Sequence, residues 1–138
     1  MLNTSSLKKA VDALDRSIEV AEKRGNEMDS ELFETVKAGV IQNFEVAYEL
    51  CWKFIRRWIA ENRTPEEANN FRTRKELFRQ AARIGLIHDP LLWFAYGDAR
   101  NLTSHVYDGK KADIVYQTAI GFSQDAKYLL KQLEANND

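Results

Sequence analysis

The stretch SELFETVKAGVIQNFEVAYELCWKFIRRW, residues 30–58, decides the fold. Phe33, Val36, Val40, Phe44, Ala47, Cys51, Ile55 and Trp58 recur at steps of three and four along it, which puts one apolar stripe on a single helix. The stripe persists for about 30 residues, roughly 45 Å at 1.5 Å per residue. A helix of that length buries its stripe against long neighbours, as in a bundle.

The neighbours are legible on both sides. Upstream, Leu7, Val11, Leu14, Ile18 and Ala21 form a second stripe, with Ser5 or Ser6 as its cap and Gly25-Asn26 as its end. Downstream, the pattern breaks in ENRTPEEANN around Pro65, and a short helix is predicted over 73–84, stopped by Gly85. Asp89-Pro90 reads as cap and first-turn residue of a helix running through LLWFAYGDARNLTSHVY to Tyr107, where Asp108-Gly109 ends it. A last helix spans about 110–133, with Val115, Ala119, Phe122, Ala126, Leu129 and Leu133 inward. No stretch alternates as a strand would. The expected fold is all-α: one domain over residues 1–138, an antiparallel up-down four-helix bundle with a short extra helix between the second and third long helices.

Composition narrows the function classes. Two prolines and six glycines in 138 residues suit helices, and no apolar run approaches the roughly 18 residues of a membrane span. The amino-terminal MLNTSSLKKAVDALDRS reads as a polar lead-in to a helix rather than a secretory leader. The single cysteine, Cys51, excludes an internal disulfide. Together these point to a cytoplasmic protein with no membrane association. Net charge is −1, so the chain does not coat nucleic acid indiscriminately. The charge is uneven, however: residues 51–83 carry nine Lys/Arg against four Asp/Glu. That segment, with RRW at 56–58 and FRTRKELFRQAAR at 71–83, is either a solvated face or a surface for a phosphate backbone. Trp52, Trp58, Trp93 and Tyr96 exceed what one narrow stripe needs, and some are expected to line the surface of a homodimer.

Chemistry concentrates in ARNLTSHVYDG, residues 99–109, which holds Arg100, His105 and Tyr107. Spacing alone says little, because Arg83 and His88 repeat the same five-residue step across a helix-ending glycine; His88 reads as a cap or surface residue. What separates the second pair is its filling of Asn101, Thr103 and Ser104 at the end of an apolar helix. On an ideal helix a five-residue step turns Arg100 and His105 about 140° apart. They converge only if the helix end distorts near Asp108-Gly109, or if two chains pair. The residue types present, with no second histidine nearby and no Cys/His or carboxylate cluster at metal spacing, point away from metal-dependent hydrolysis, and no glycine-rich phosphate loop is seen. A histidine beside an arginine suits metal-free cleavage of RNA, in which the internal 2′-hydroxyl attacks the phosphate.

RNLTSHVY at 100–107 resembles the R-x4-H-x-Y motif of the HEPN superfamily, in its HepT branch, also known as nucleotidyltransferase substrate-binding proteins. GVIQNFEVAYELCWK (39–53) is similar to that family's second-helix signature, I-Q-x-F-E followed by Y-E-L-x-W-K. RKELFRQAARIGLI (74–87) with Trp93, and ADIVY (112–116), resemble the segments flanking the motif. The resemblance implies an all-helical homodimer, a toxin of a toxin–antitoxin pair, acting as a metal-independent ribonuclease on RNA. Its partner would be a cognate minimal nucleotidyltransferase, the antitoxin, which silences it by adding AMP to the motif tyrosine. On that reading Arg100 and His105 are catalytic, Tyr107 is the AMPylation site and Asn101 gives polar support; no metal and no cofactor are called for. Asp98 is read as an orienting carboxylate from its position alone, since the motif does not require it. Glu45 belongs to the second signature and either faces solvent or holds the Arg100 guanidinium; Trp52 is expected in the core. The alternative implied by the family's other name is a non-catalytic substrate- or nucleotide-binding subunit of a two-component nucleotidyltransferase.

Overall fold

A computed structural model describes residues 2–63, 66 and 71–136. Five α-helices occur among them: α1 Ser5–Arg24, α2 Ser30–Asn62, α3 Arg74–Arg83, α4 Pro90–Leu102 and α5 Gly109–Ala135. Tight 3-10 turns follow α1 at Gly25–Glu27 and α4 at Thr103–His105. No strand is present among the described residues. The expected break around Pro65 lies outside them.

Caps set most of the boundaries. The Asp29 carboxylate accepts from Leu32 N at 2.7 Å to open α2, and Asp89 accepts from Leu91 N at 2.9 Å to open α4, with Pro90 in the first turn. Thr73 Oγ1 accepts from Glu76 N at 3.2 Å while Glu76 Oε2 accepts from Arg72 N at 2.8 Å, a reciprocal arrangement that opens α3. Asp108 Oδ1 accepts from Lys110 N and Lys111 N to open α5. The first helix differs from expectation. Ser5 and Ser6 lie inside it, and the donor at Ser5 N is met by Asn3 Oδ1 at 3.0 Å. A polar side chain two residues upstream meets that donor, because the helix begins at Ser5, two residues before Leu7 opens its apolar stripe.

The carboxyl end of α3 needs a glycine. Gly85 has φ +84°, and the chain folds back so that Leu86 N reaches Ala81 O at 2.9 Å. That turn drops Leu86 and Ile87 into the core.

Side-chain pairs fix how the helices run past one another. Asn43 of α2 donates to Ala13 O of α1, Lys127 of α5 pairs with Asp15, and Tyr116 of α5 donates to Glu22. Higher numbers on α5 therefore meet lower numbers on α1, so the two run in opposite directions. Phe33 meets Tyr116, Phe44 meets Phe122, and Trp58 donates to Asn136 O at 3.3 Å, so α2 and α5 run the same way. The connection between α3 and α4 returns the chain along α5, where Tyr96 donates to Asp125.

Phe122 sits at the centre of the core, fully buried, with its ring centroid 5.2 Å from Phe44, 5.5 Å from Trp93 and 5.0 Å from Tyr96. These contacts are near-perpendicular, the geometry aromatic quadrupoles favour. Trp58, Trp93 and Tyr96 are all buried within the one chain. These three therefore belong to the core, and of the four surplus aromatics only Trp52 is left half-buried. The apolar side chains that remain exposed are others, among them Leu91, Leu92, Val106, Tyr107 and Ile114. Lys37 is buried too, paired with Asp113.

Two consequences can be measured. Replacing Phe122 by Ala removes the ring that α2, α4 and α5 share, and is expected to cost about 3–5 kcal/mol in urea unfolding. The second concerns pH. Burial pushes the Cys51 thiol up from its ordinary range; burial, then the Asp125 carboxylate, push up the Tyr96 phenol; burial, then Glu22, push Tyr116 up to about 12. The folded chain thus holds protons that the unfolded chain releases at roughly pH 8.5 for a thiol and 10 for a phenol. Their contribution is complete below those unfolded values and is lost as pH rises toward the folded ones. The urea midpoint should fall steadily above about pH 9, and Cys51 should resist alkylation in the native state.

Candidate active site

The motif lies where α4 ends. The expected helix to Tyr107 stops at Leu102, and residues Thr103–His105 tighten into a 3-10 turn. The cause is local. Thr103 Oγ1 donates to Arg100 O at 2.8 Å and Ser104 Oγ donates to Asn101 O at 3.3 Å, each bonding back three residues and competing with the α ladder. The distortion comes five residues earlier than the Asp108-Gly109 boundary, and the threonine and serine between the two motif residues produce it.

Arg100 points at α2. Its Nε donates to Glu49 Oε1 at 3.1 Å, its Nη1 donates to Thr103 Oγ1 at 3.0 Å, and its Nη2 lies 3.7 Å from Glu45 Oε1. Glu45 and Glu49 are one helical turn apart, so one face of α2 presents both carboxylates to one guanidinium. A guanidinium carries five N–H donors, and two are spent in these hydrogen bonds. Three remain to meet an anion, and the side chain is about a third exposed, at 29%. The result is a cation held in place yet still able to bind.

Glu49 was not singled out in the sequence, and it is the junction of the site. Besides Arg100, its Oε1 lies 3.5 Å from Arg74 Nη1, and its Oε2 accepts from the Trp52 indole at 2.9 Å. The available signal was the four-residue step from Glu45 within YELCWK. Trp52 accordingly departs from its expected core role. It is half-buried, with the Arg74 guanidinium 4.5 Å above its ring. The close approach of α4 to α2 that brings Arg100 to Glu49 needs Gly97: a Cβ there would stand 2.9 Å from the buried Tyr48 hydroxyl.

His105 is exposed, its Nδ1 3.5 Å from the Tyr107 hydroxyl. Tyr107 is the most solvent-exposed large side chain of the site, at 85%. Between Arg100 and His105 the structure gives no direct bond; each has its own partners. Asp98 does not touch Arg100. It lines a shallow cleft of about 150 Å³ with Arg74, Phe94, Gly97 and Asn101, and the carboxylates that engage the arginine come from α2 instead. Asn101 is exposed and reaches the turn through its backbone carbonyl. His88, the histidine of the other pair, is also exposed and lies against the Tyr128 ring at 3.8 Å. Among the described residues no group of three or more His, Cys, Asp and Glu side chains is gathered as a metal would require.

The protein belongs to the nucleotidyltransferase substrate binding protein-like family, which matches residues 2–135. It is 34% identical over 138 residues to a Haemophilus influenzae protein named "Probable ribonuclease HepT", covering 99% of this chain and 94% of that one. Its fold is similar to that of a solved Haemophilus influenzae chain, described as showing the fold of a substrate binding domain of a nucleotidyltransferase. There the TM-score is 0.87 at 33% identity, over 96% of this chain and 99% of the other. A Thermus thermophilus structure shares the fold at TM-score 0.72 and 22% identity, over 92% and 98% of the two chains.

Replacing Glu49 by Gln removes the carboxylate charge that Arg100 and Arg74 share. Allowing for the partial exposure of the pair, the expected loss is about 1–2 kcal/mol of stability by urea unfolding.

Proposed function

We propose that this protein is a metal-independent endoribonuclease acting as the toxin of a toxin–antitoxin pair, inhibited by a cognate minimal nucleotidyltransferase that AMPylates Tyr107. The observation that carries the reading is the Arg100 side chain, held by Glu45 and Glu49 with donors to spare, one 3-10 turn away from an exposed His105. In the proposed reaction the 2′-oxygen attacks the adjacent phosphorus and the bond to the 5′-oxygen breaks, leaving a cyclic phosphate and a free 5′-hydroxyl. His105 moves a proton at one of those oxygens, and Arg100 offsets the charge that builds on the phosphorane. Glu45 and Asn101 support the arginine and the turn. Each chain supplies one histidine to a reaction that wants an acid and a base. A homodimer, with its two motifs sharing one cleft, answers that need; the exposed Val106 and Ile114 suit such a contact.

The helix directions support an antiparallel up-down four-helix bundle built from α1, α2, α4 and α5, with α3 as the extra helix. We place the protein in the cytoplasm, where its RNA and its transferase would be. In the inhibitory step the Tyr107 phenol oxygen attacks the α-phosphorus of ATP and pyrophosphate leaves; the 85% exposure of the ring makes that oxygen accessible. A second reading, a non-catalytic subunit that presents a substrate or nucleotide to the transferase, draws on what the structurally similar Haemophilus influenzae chain is described as.

The purified protein should cleave RNA in EDTA, and His105→Ala should abolish cleavage while its circular dichroism is unchanged. Cleavage by the variant at the wild-type rate would falsify the catalytic role. A stable complex with the transferase and no cleavage near neutral pH would favour the second reading. After co-expression with the transferase and ATP, intact mass should show an AMP adduct that Tyr107→Phe loses.

A further inference from the structure

Glu49 joins Arg100 to a second feature. Trp52 and Arg74, the other two side chains on its carboxylate, line a cleft of about 160 Å³ together with Arg56, Phe71, Arg72 and Leu77. We propose that this cleft is a base subsite, which takes one unpaired nucleobase of a single-stranded RNA whose scissile phosphate lies at Arg100. The inference rests on the ribonuclease reading and adds to it the place where the substrate strand is gripped.

The lining has the composition such a subsite needs. Proteins hold single strands by stacking bases on aromatic rings and tracking the backbone with cations. Here two aromatic side chains face three arginines, inside the segment in which nine basic residues stand against four acidic ones. The Arg74 guanidinium carbon lies 4.5 Å from the centre of the Trp52 ring, a cation–π contact that sets a charge against the indole. Arg56, Arg72 and Arg74 are all exposed.

Size argues for a base on a strand over a free nucleotide. At about 160 Å³ the cleft is smaller than the roughly 300–1,000 Å³ of sites that enclose a whole drug-sized ligand. It accommodates a flat ring and leaves ribose and phosphates outside, where the arginines stand. Duplex RNA keeps its bases stacked and does not offer one. Because a single carboxylate holds both Arg74 of the cleft and Arg100, a base seated there lies close along the strand to the phosphate being cut.

The test uses the full-length His105→Ala protein and a fluorescein-labelled eight-nucleotide single-stranded RNA, read by anisotropy. Trp52→Leu is expected to weaken binding about tenfold, the scale of one lost base stack. Arg72→Ala, at an exposed position, keeps the test open if the tryptophan variant does not fold. It should lower affinity and reduce the slope of log affinity against log salt by about 0.7, as one lost phosphate contact does on a single strand. In the otherwise wild-type enzyme Arg72→Ala should raise KM. Unchanged affinity, salt slope and KM in the variants, with cleavage intact, overturn the subsite and leave the ribonuclease reading standing. AMP alone binding as tightly as the RNA, and losing that with Trp52→Leu, overturns it in favour of a free nucleotide. Neither binding nor cleavage of RNA by the unmutated chain overturns both.

Discussion

The packing of Phe122 against Phe44, Trp93 and Tyr96 is the constraint on which the site depends. These four rings come from three helices, α2, α4 and α5, and their near-perpendicular contacts lock α4 between the other two. The lock works only because α4 can come close to α2, and it can because Gly97 offers no Cβ to the Tyr48 hydroxyl. One turn further along α4, that close approach becomes the 3.1 Å bond from Arg100 to Glu49. The electrostatics of the site are thus set by a packing decision made in the core.

Glu49 converts that packing into chemistry. One carboxylate takes Arg100, Arg74 and the Trp52 indole, and with Glu45 it balances two arginines with two acids in a half-buried place. Partial burial matters here: exposed pairs of this kind contribute little, whereas pairs shielded from water hold geometry more firmly. The arginine is oriented without being used up, and the tryptophan is drawn out of the core to the edge of a basic cleft. Motif and cleft, forty-eight residues apart between Trp52 and Arg100, become neighbours through this one side chain.

Much was legible in the residues. The long stripe through Phe44, Ala47 and Cys51 was enough to call α2, because a 3.6-residue period leaves no other way to bury it. Asp29, Asp89-Pro90 and Gly85 marked boundaries because capping is local chemistry. Reading failed where the partner was distant or the competition was subtle. The bond from Ser5 N to Asn3 at the start of α1, the early end of α4, the burial of Trp93 and Tyr96, and the emergence of Trp52 each turn on which neighbour is nearest in space. Asp98 looked well placed from two residues away, yet a step of two on a helix points elsewhere, and the arginine turned to α2.

The sequence by itself determined an all-helical chain, the residues of its core stripes and the identity of the Arg-His-Tyr motif. These follow from periodicity and side-chain chemistry, both local properties. Only the tertiary structure decided that Arg100 is held by Glu49, that Trp52 and Arg74 meet beside it, and that Trp58, Trp93 and Tyr96 fill the interior. Those outcomes depend on how closely two helices approach. That separation is set by a missing methyl at Gly97 and the ring packing around Phe122, which no pattern along one helix encodes.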